Sequence, residues 1–183
     1  LKIGATEEDS DETYLGITDN DFAEKPQRRY AASQKDNMDA QHQQYHLRHF
    51  IDFDGTDITT TIYRNEFKRN WYKLNDIMVG GTRLNLGPAL SNATYLAALK
   101  GDTNLDGGAN NNLRVRANNR EYYAQGIQSD AAHKFTLGKM AHDLQGGVRF
   151  HYDIEDRLQH DDRYAIANGV MSLTSAGTPG SNA

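Results

Sequence analysis

The sequence predicts an all-β fold, an antiparallel segment of a transmembrane β-barrel, and three observations support this prediction. Apolar and polar residues alternate along several stretches, most regularly from Asp143 to Ile154, and such alternation places two sets of side chains on opposite faces of a strand. Short and long connections between these stretches also alternate, as periplasmic turns and extracellular loops do in outer-membrane barrels. Hydrophobic residues make up only 37% of the chain, which indicates strands that expose one of their two faces to water.

Two of the four predicted strands, at about 41–53 and 57–73, form a hairpin around Asp54-Gly55. An Asp-Gly pair between two alternating stretches is a strong signal for a tight hairpin turn. In strand 41–53 the odd positions are mostly apolar and the even positions mostly polar, with Phe50 as the exception. The facing of strand 57–73 stays open because its β-branched and aromatic residues fall on both parities. A bulge that switches parity would accommodate both sets.

The other two predicted strands, at about 120–137 and 143–156, are joined by a short turn at 138–142. Strand 143–156 alternates regularly, so one of its faces is expected to meet lipid and the other a water-filled lumen. The residues expected on the lumen face are Arg149, His151 and Asp153. In a dry sandwich core each of these charges would need a partner, whereas a wet lumen tolerates them.

Three long polar connections are expected to be extracellular loops, at 5–40, 75–119 and 157–183. Short helices are predicted in the first two of these loops. One covers 18–24 and begins with Thr18 or Asp19 as its capping residue, because both residue types favour that position. The other covers 91–100 and is ended by Gly101, since glycine adopts the left-handed conformation that often closes a helix.

Composition excludes several classes of function. The chain contains no cysteine, which excludes a disulfide framework, a thiolate metal site and a cysteine nucleophile. A formal net charge of -5 gives no bulk electrostatic case for a nucleic-acid partner. No apolar run of about 18 residues is present, so a transmembrane helix is excluded. Because both ends look cut from something longer, we expect the chain to be a fragment of a larger protein.

Two patterns resemble metal sites, and neither is complete. Asp102, Asn104 and Asp106 match the first half of a calcium-binding loop. The twelfth position of that loop needs a bidentate acid, and it is Leu113, so an Asn/Gly turn is the preferred interpretation. Histidines at 42 and 46 share a strand face but stand roughly 13 Å apart, too far to share zinc. We therefore expect no metal site and no cofactor, and no catalytic pattern supports an enzyme.

Six segments resemble the barrel of TonB-dependent outer-membrane receptors, in the group of ferric-citrate-type siderophore receptors. They are DETYLGITDNDF, RRYAASQKDNMD, LRHFIDF, TTTIYRNEFKRNWYKLN, NNREYYAQGIQ and DRLQHDDRYAIANGVMSLTSAG. The resemblance implies a middle piece of a 22-stranded barrel that imports ferric chelates across the outer membrane of a Gram-negative bacterium. It also implies contact with outer-membrane lipid and energy supplied by TonB through a plug domain, which the sequence does not contain.

In a receptor of this family the expected ligand is an anionic ferric chelate, held by arginine forks and loop aromatics. The candidate ligand-binding residues at strand tops and in loops are Arg28, Arg29, Tyr30, Arg69, Trp71, Tyr72, Arg114, Arg116, Arg120 and Tyr123. Trp71 and Tyr72 have a second interpretation, because aromatic residues also form the girdles of membrane barrels or pack the base of a loop.

Two other classes of function remain open. A soluble β-sandwich or adhesin-like binding module would also display long loops, and detergent partition separates it from a barrel because isolated barrel strands aggregate without detergent. A structural or porin-like barrel without ligand specificity is the third class. The identity of the chelate lies in loop geometry and in the plug, which the sequence does not contain.

Overall fold

The computed structural model describes residues 1–180, which form one mostly antiparallel sheet of seven strands. The strands are β1 (Lys2–Ser10), β2 (Asn37–Phe53), β3 (Thr56–Val79), β4 (Thr82–Asn85), β5 (Asn112–Leu137), β6 (Met140–Ala167) and β7 (Val170–Ser175). Their order in the sheet is β1-β2-β3-β5-β6-β7, and β4 pairs with the end of β3. The prediction of an antiparallel all-β chain is therefore confirmed.

Three short α-helices lie between the strands. They are α1 (Asp19–Glu24), α2 (Leu86–Leu90) and α3 (Ala93–Lys100). The first and third lie where the sequence predicts helices, and the side chain of Thr18 caps α1 by accepting a hydrogen bond from the N–H of Asp21. Asn92 caps α3 in the same way. None of the helices in the described part of the chain has the length and apolar composition needed to cross a bilayer.

Two-residue turns close four hairpins within residues 1–180. They are Asp54-Gly55, Gly80-Gly81, Gly138-Lys139 and Asn168-Gly169. The backbone angles φ of Asp54 and Gly55 are 47° and 72°, and two consecutive positive values match the turn type that suits the twist of paired strands. Asn168 and Gly169 adopt the same conformation, with φ of 51° and 75°. The Asp54-Gly55 hairpin is therefore confirmed.

Several predicted boundaries are wrong because the strands are longer than the sequence indicates. The predicted loop 5–40 is reduced at both ends, since β1 reaches Ser10 and β2 begins at Asn37. The predicted loop 75–119 contains the end of β3, all of β4, α2 and α3, and the start of β5. The predicted turn 138–142 has only two residues outside the strands.

The largest correction concerns the predicted loop 157–183, of which residues 181–183 lie outside the described residues. β6 continues to Ala167 and pairs with β7 through the Asn168-Gly169 turn. The polar side chains that favour a loop in the sequence belong to a strand in the structure, because neighbouring strands supply their partners. Asp161, for example, accepts two hydrogen bonds from Arg116 on β5.

The chain forms two compact units. The first contains Leu1–Glu7, Gln41–Lys68 and Glu121–Asp156, and the second contains Glu8–Ala40, Arg69–Arg120 and the residues from Arg157 onward. Every buried hydrophobic side chain of the described residues belongs to the second unit, where helices and loops pack on the sheet. The largest fully buried hydrophobic residues of this core are Leu74, Ile77, Leu99, Leu113, Val115 and Ile166. The first unit is a sheet without such a core.

Candidate functional site

The register between β3 and β5 in the first unit follows from their side-chain contacts. These contacts are Thr56–His133, Thr60–Ser129, Arg64–Gln125 and Lys68–Glu121. Each step forward on β3 is matched by an equal step backward on β5, so the strands are antiparallel. This register places Tyr63 opposite Gly126.

One face of the first unit carries large apolar side chains that are exposed. Those on β2 and β3 are Tyr45, Leu47, Ile51, Phe53 and Ile62, and those on β5 and β6 are Ile127, Phe135, Leu144, Val148, Phe150 and Tyr152. Their exposed fractions run from 39% at Phe135 to 74% at Phe53. We call this surface the apolar face. Ile62 lies on the apolar face, and the Tyr63 side chain lies on the opposite face. Near these two residues, the even-numbered side chains of strand 57–73 therefore point to the apolar face, and no bulge is needed there to change which side chains do so.

The opposite face of the first unit holds a polar cluster around Tyr63. The Tyr63 hydroxyl lies 2.6 Å from Nδ1 of His151, and Arg149 Nε donates a hydrogen bond to it at 3.1 Å. Nε2 of His151 lies 3.5 Å from a carboxylate oxygen of Asp153. On the other side of Tyr63, the ring of His46 lies 6.2 Å away between centroids. The three residues predicted for the lumen face are thus brought together on the polar face.

Gly126 allows this cluster to span three strands. Tyr63 lies on β3 and His151 on β6, and β5 runs between them. A Cβ atom at position 126 would stand 2.6 Å from the Tyr63 hydroxyl oxygen, so the ring occupies the space that a side chain on β5 would fill. Aromatic side chains that cover a cross-strand glycine are a known device for fixing the register of a sheet.

In the second unit, Arg28 and Tyr30 hold the loop between β1 and β2 through Asp21. Arg28 pairs with Asp21, and the Tyr30 hydroxyl donates a hydrogen bond to the same carboxylate at 2.5 Å. Lys100 at the end of α3 lies 2.7 Å from it. The hydrogen bond from Lys100, followed by that from Tyr30, holds the pKa of Asp21 well below its usual range. Two of the predicted ligand-binding residues are therefore engaged in the loop itself.

Arg29 also holds this loop. It donates hydrogen bonds to the carbonyl oxygens of Asp11 at 2.7 Å and Ser33 at 2.9 Å. Nearby in sequence, Asp36 is buried and accepts a hydrogen bond from the backbone N–H of Leu74 at 2.7 Å. Burial raises the pKa of Asp36. The loop is thus fixed to β3 through a carboxylate rather than left free above the sheet.

Arg114 and Arg116 on β5 form a network of ion pairs. Nε and Nη2 of Arg116 donate to the two carboxylate oxygens of Asp161 at 2.6 and 2.9 Å. Arg114 lies 3.0 Å from Asp161 and also donates to Asp76 at 2.8 Å through Nε. The Asp76 side chain is fully buried, and Arg83 on β4 is its second cationic partner. Asp76 and Asp161 thus bind the three arginines of this network, which are Arg83, Arg114 and Arg116.

Tyr72 packs on the core side of the sheet. Its hydroxyl donates to Asp162 at 2.5 Å and lies 2.8 Å from the hydroxyl of Tyr164, and it contacts the core cluster. Burial, together with the hydrogen bond to Asp162, raises the pKa of the Tyr72 hydroxyl. This placement agrees with the packing interpretation of Tyr72.

Trp71 forms a cation-binding pair of rings with Tyr14. The ammonium group of Lys73 lies 3.6 Å from the Tyr14 ring centroid and 3.7 Å from that of Trp71, within the range of a cation–π contact. Burial lowers the pKa of Lys73, and the nearby positive charge of Arg69 lowers it further. Among the described residues, the indole N–H of Trp71 is buried and has no hydrogen-bond partner.

Two further candidates, Arg120 and Tyr123, belong to different units. Arg120 Nε donates to Asn118 Oδ1 at 3.2 Å in the second unit. Tyr123 belongs to the first unit, where its ring lies 5.9 Å from that of Tyr152, and the guanidinium carbon of Arg64 lies 5.4 Å from its centroid. Nine of the ten candidate ligand-binding residues thus belong to the second unit, and Tyr123 belongs to the first.

The calcium-like segment uses its oxygens to hold turns. Asn104 Oδ1 accepts a hydrogen bond from the N–H of Asn168 at 2.8 Å, and Asp106 Oδ1 accepts one from the N–H of Gly108 at 2.9 Å. Within residues 1–180, no three histidine, aspartate or glutamate side chains lie close enough together to hold a metal ion. The local contacts of Asn104 and Asp106 account for the pattern that begins at Asp102.

Several residues that build these clusters are absent from the sequence-based candidates. Asp76 and Asp161 pair with the candidate arginines, and Gln159 donates a hydrogen bond to Asn118 at 2.5 Å. Arg157 in turn donates to Gln159 at 2.6 Å. The signal that would have found three of them is parity: positions 157, 159 and 161 are alternate residues and share one strand face.

Comparison with known proteins identifies no relative of this chain: no protein-family model, no curated protein and no solved structure matches it.

Proposed function

We propose that this chain forms part of an outer-membrane β-barrel receptor that takes up an anionic ferric chelate with energy supplied through TonB. In this proposal the apolar face of the first unit contacts the acyl chains of the membrane. The polar face turns toward water, and the second unit provides ligand contacts outside the membrane. The observation that carries the proposal is the exposed apolar face itself, which four neighbouring strands share.

The dimensions of the apolar face support a membrane location. From Tyr45 to Phe53 the strand β2 has nine residues, and a tilted strand needs about 9–11 residues to cross the hydrocarbon core. Aromatic residues stand at both ends of this band. Tyr45 and Tyr152 lie at one end, and Phe53 and Phe135 lie at the other, as in the girdles of membrane barrels.

The polar face supports a water-filled interior. Arg149, His151 and Asp153 would each be costly in a dry core, and Asp153 has a side-chain exposure of 75%. A β-sandwich would require a second sheet packed about 10 Å away from this one. The described residues contain a single sheet, so the sandwich alternative gains no support.

The charges of the second unit support an anionic ligand. Arginine forks bind carboxylates in pairs of parallel hydrogen bonds, and Arg69, Arg114, Arg116 and Arg120 belong to adjacent strands β3 and β5 of this unit. Two buried carboxylates occupy Arg114 and Arg116 in part. Arg83, Arg114 and Arg116 are thus paired with only two carboxylates, Asp76 and Asp161, and the excess positive charge of this network is what an anionic, citrate-like chelate would meet.

The membrane part of the proposal is tested by labelling single cysteines, because the chain contains no cysteine of its own. Positions 47, 62, 127 and 150 on the apolar face, and positions 46, 63, 128 and 151 on the polar face, would carry an environment-sensitive fluorophore. In lipid vesicles, nitroxide-labelled acyl chains should quench the first set and leave the second set accessible to iodide. Equal quenching of both sets by iodide, with no effect of the nitroxide lipids, would refute the membrane location.

The ligand part is tested by binding of ferric citrate to the full chain in detergent micelles. The single tryptophan, Trp71, lies in the second unit and serves as the fluorescent probe. Saturable quenching by ferric citrate, with no effect of a neutral ferric chelate of similar absorbance, is the expected result. Identical quenching by both chelates would remove the support for an anionic ligand.

A further inference from the structure

We propose that Tyr63, on the polar face of the first unit, is a nucleophilic tyrosine that accepts an acyl group from an activated acyl donor, such as an aryl ester or an acyl azole. Its phenol is the nucleophile, His151 is the general base that takes its proton, and Arg149 and Asp153 position these two groups. We call the four residues the tyrosine site. It is independent of the proposed receptor function, because it requires neither lipid nor a ferric chelate.

The contacts of the Tyr63 phenol fix the direction of its hydrogen. A guanidinium group can only donate hydrogen bonds, and Nε of Arg149 donates to the Tyr63 hydroxyl at 3.1 Å. The hydroxyl accepts this bond, so its own hydrogen is directed to Nδ1 of His151, which lies 2.6 Å away. A base within about 2.6–3.2 Å of a hydroxyl group is the arrangement that activates it as a nucleophile.

The contacts of the His151 imidazole make Nδ1 an acceptor. Nη2 of Arg149 lies 3.2 Å from Nδ1, so both groups next to this nitrogen, the guanidinium and the phenol, present hydrogens to it. Nδ1 therefore carries the lone pair, and the proton of the neutral ring is on Nε2. Nε2 lies 3.5 Å from a carboxylate oxygen of Asp153, whose negative charge stabilises the imidazolium that forms when the phenol is deprotonated.

Acyl transfer to Tyr63 leaves atoms and charges in balance. The phenolic oxygen forms a bond to the acyl carbon while its proton passes to Nδ1 of His151. The bond between the acyl carbon and the leaving group then breaks, and the leaving group departs with the electron pair and takes the proton from His151. The products are an ester of Tyr63, the protonated leaving group and a neutral imidazole.

The tyrosine site is open to a small molecule. Tyr63 is partly exposed, and Arg149, His151 and Asp153 are exposed. The strand β5, which runs between β3 and β6, contributes Gly126 beneath the Tyr63 ring, so no side chain at that position separates the phenol from the imidazole. The four residues come from two strands that are distant in sequence, and for this reason no sequence motif indicates the site.

Two other residues provide matched controls. His46 packs on the other side of the Tyr63 ring, with 6.2 Å between ring centroids, but its Nε2 lies 3.3 Å from Asn65 Oδ1. It is therefore an imidazole beside the ring that is engaged elsewhere than at the phenol. Tyr14, in the second unit, is 56% exposed and packs against Trp71. It is thus a tyrosine that is more exposed than Tyr63 and is not packed on a histidine.

The tyrosine site is tested by acetylating the full chain in detergent micelles with N-acetylimidazole and measuring each modified tyrosine by mass spectrometry. At about pH 7 we expect Tyr63 to be acetylated at least about tenfold faster than Tyr14, because general-base assistance contributes factors of about 10²–10⁴. His151→Gln should slow the acetylation of Tyr63 at least about tenfold, and Asp153→Asn should slow it by a smaller factor. His46→Gln should leave the rate unchanged.

A second measurement requires no variant. An imidazole is already a base near neutral pH, whereas an unassisted phenol reacts through its phenolate, which forms near about pH 10. The ratio of the Tyr63 rate to the Tyr14 rate should therefore fall as the pH rises from about 7 to about 9. A constant ratio over this range, or equal rates at about pH 7, would overturn the proposal. An unchanged Tyr63 rate in His151→Gln that circular dichroism shows to be folded, or equal slowing by His46→Gln, would also overturn it.

Discussion

At the scale of single residues, Gly126 allows the ring of Tyr63 to lie across β5 and reach His151. A Cβ atom at position 126 would stand 2.6 Å from the Tyr63 hydroxyl oxygen and would also overlap the carbonyl oxygen of Phe150. The second of these contacts is to backbone, which has little freedom to move. The packing of the polar cluster therefore requires glycine at this position.

We expect Gly126→Ala to lower the free energy of unfolding by about 1–3 kcal/mol, the usual cost of overpacking. Urea titration of the full chain in detergent micelles measures this change. Gly146→Ala is the matched control, because no atom lies within 4 Å of its added Cβ. That control should be neutral or more stable by up to about 1 kcal/mol. A loss of stability in the control as large as in Gly126→Ala would show that the close contacts are not the cause.

Asp21 provides a pH-dependent prediction. Its pKa is lowered below the ordinary value of 3.8, mainly by the hydrogen bond from Lys100. Ionised Asp21 therefore stabilises the folded chain above the ordinary pKa, and this contribution is lost as the pH falls toward the lowered pKa. We expect Asp21→Asn to have a lower Tm than the unchanged chain at pH 7, with the difference shrinking between about pH 5 and pH 3. A difference in Tm that stays constant over this range would contradict the ion pair with Lys100.

At the scale of elements, the tight turns decide where strands begin and end. Asn168 and Gly169 both have positive φ, and they reverse the chain between β6 and β7. The same Asn-Gly pair is present in the sequence, where it is a strong signal for a hairpin. It is hidden there because the stretch 155–163 is almost entirely polar, and only residues 164–167 separate this stretch from the turn.

We expect Gly169→Ala to destabilise this hairpin by about 1–2 kcal/mol, the cost of placing an alanine in the left-handed region. No atom lies within 4 Å of the added Cβ, so the backbone conformation is the only source of strain. Hydrogen exchange at the amides of β7 should become faster while the amides of β2 are unaffected. Gly87→Ala in α2, also without neighbours within 4 Å, is the control and should not accelerate exchange in β7.

The sequence predicts elements well where one face is apolar and poorly where both faces are polar. The alternation from Leu144 to Ile154 is visible because exposed hydrophobic residues stand at alternate positions, at Leu144, Val148, Phe150 and Tyr152. Beyond Arg157 the same strand continues, but its alternate residues are an arginine, a glutamine and an aspartate held by neighbouring strands. Cross-strand partners are invisible in a single sequence, so this part of the strand was missed.

At the scale of the whole molecule, the sheet has a long open edge. β6 pairs with β7 only from Arg163 to Ala167, and the Gln159 carbonyl accepts a hydrogen bond from the N–H of Gly180. Among the described residues, no strand pairs with the outer edge of β6 from Met140 to Leu158. Unpaired strand edges are sites of association in water, and in a bilayer every backbone group needs an internal partner. An exposed apolar face and an open edge are both accounted for if further strands of a barrel continue the sheet.

The last prediction concerns the two faces of the first unit in a bilayer. Val148 is 55% exposed on the apolar face, near the middle of the band, so Val148→Arg should cost about 2–4 kcal/mol when the chain folds into lipid vesicles. Gln128→Arg, on the polar face of the neighbouring strand β5, is the matched control and should cost less than about 1 kcal/mol. Urea titration in vesicles measures both. Equal costs for the two variants would show that the apolar face does not meet lipid.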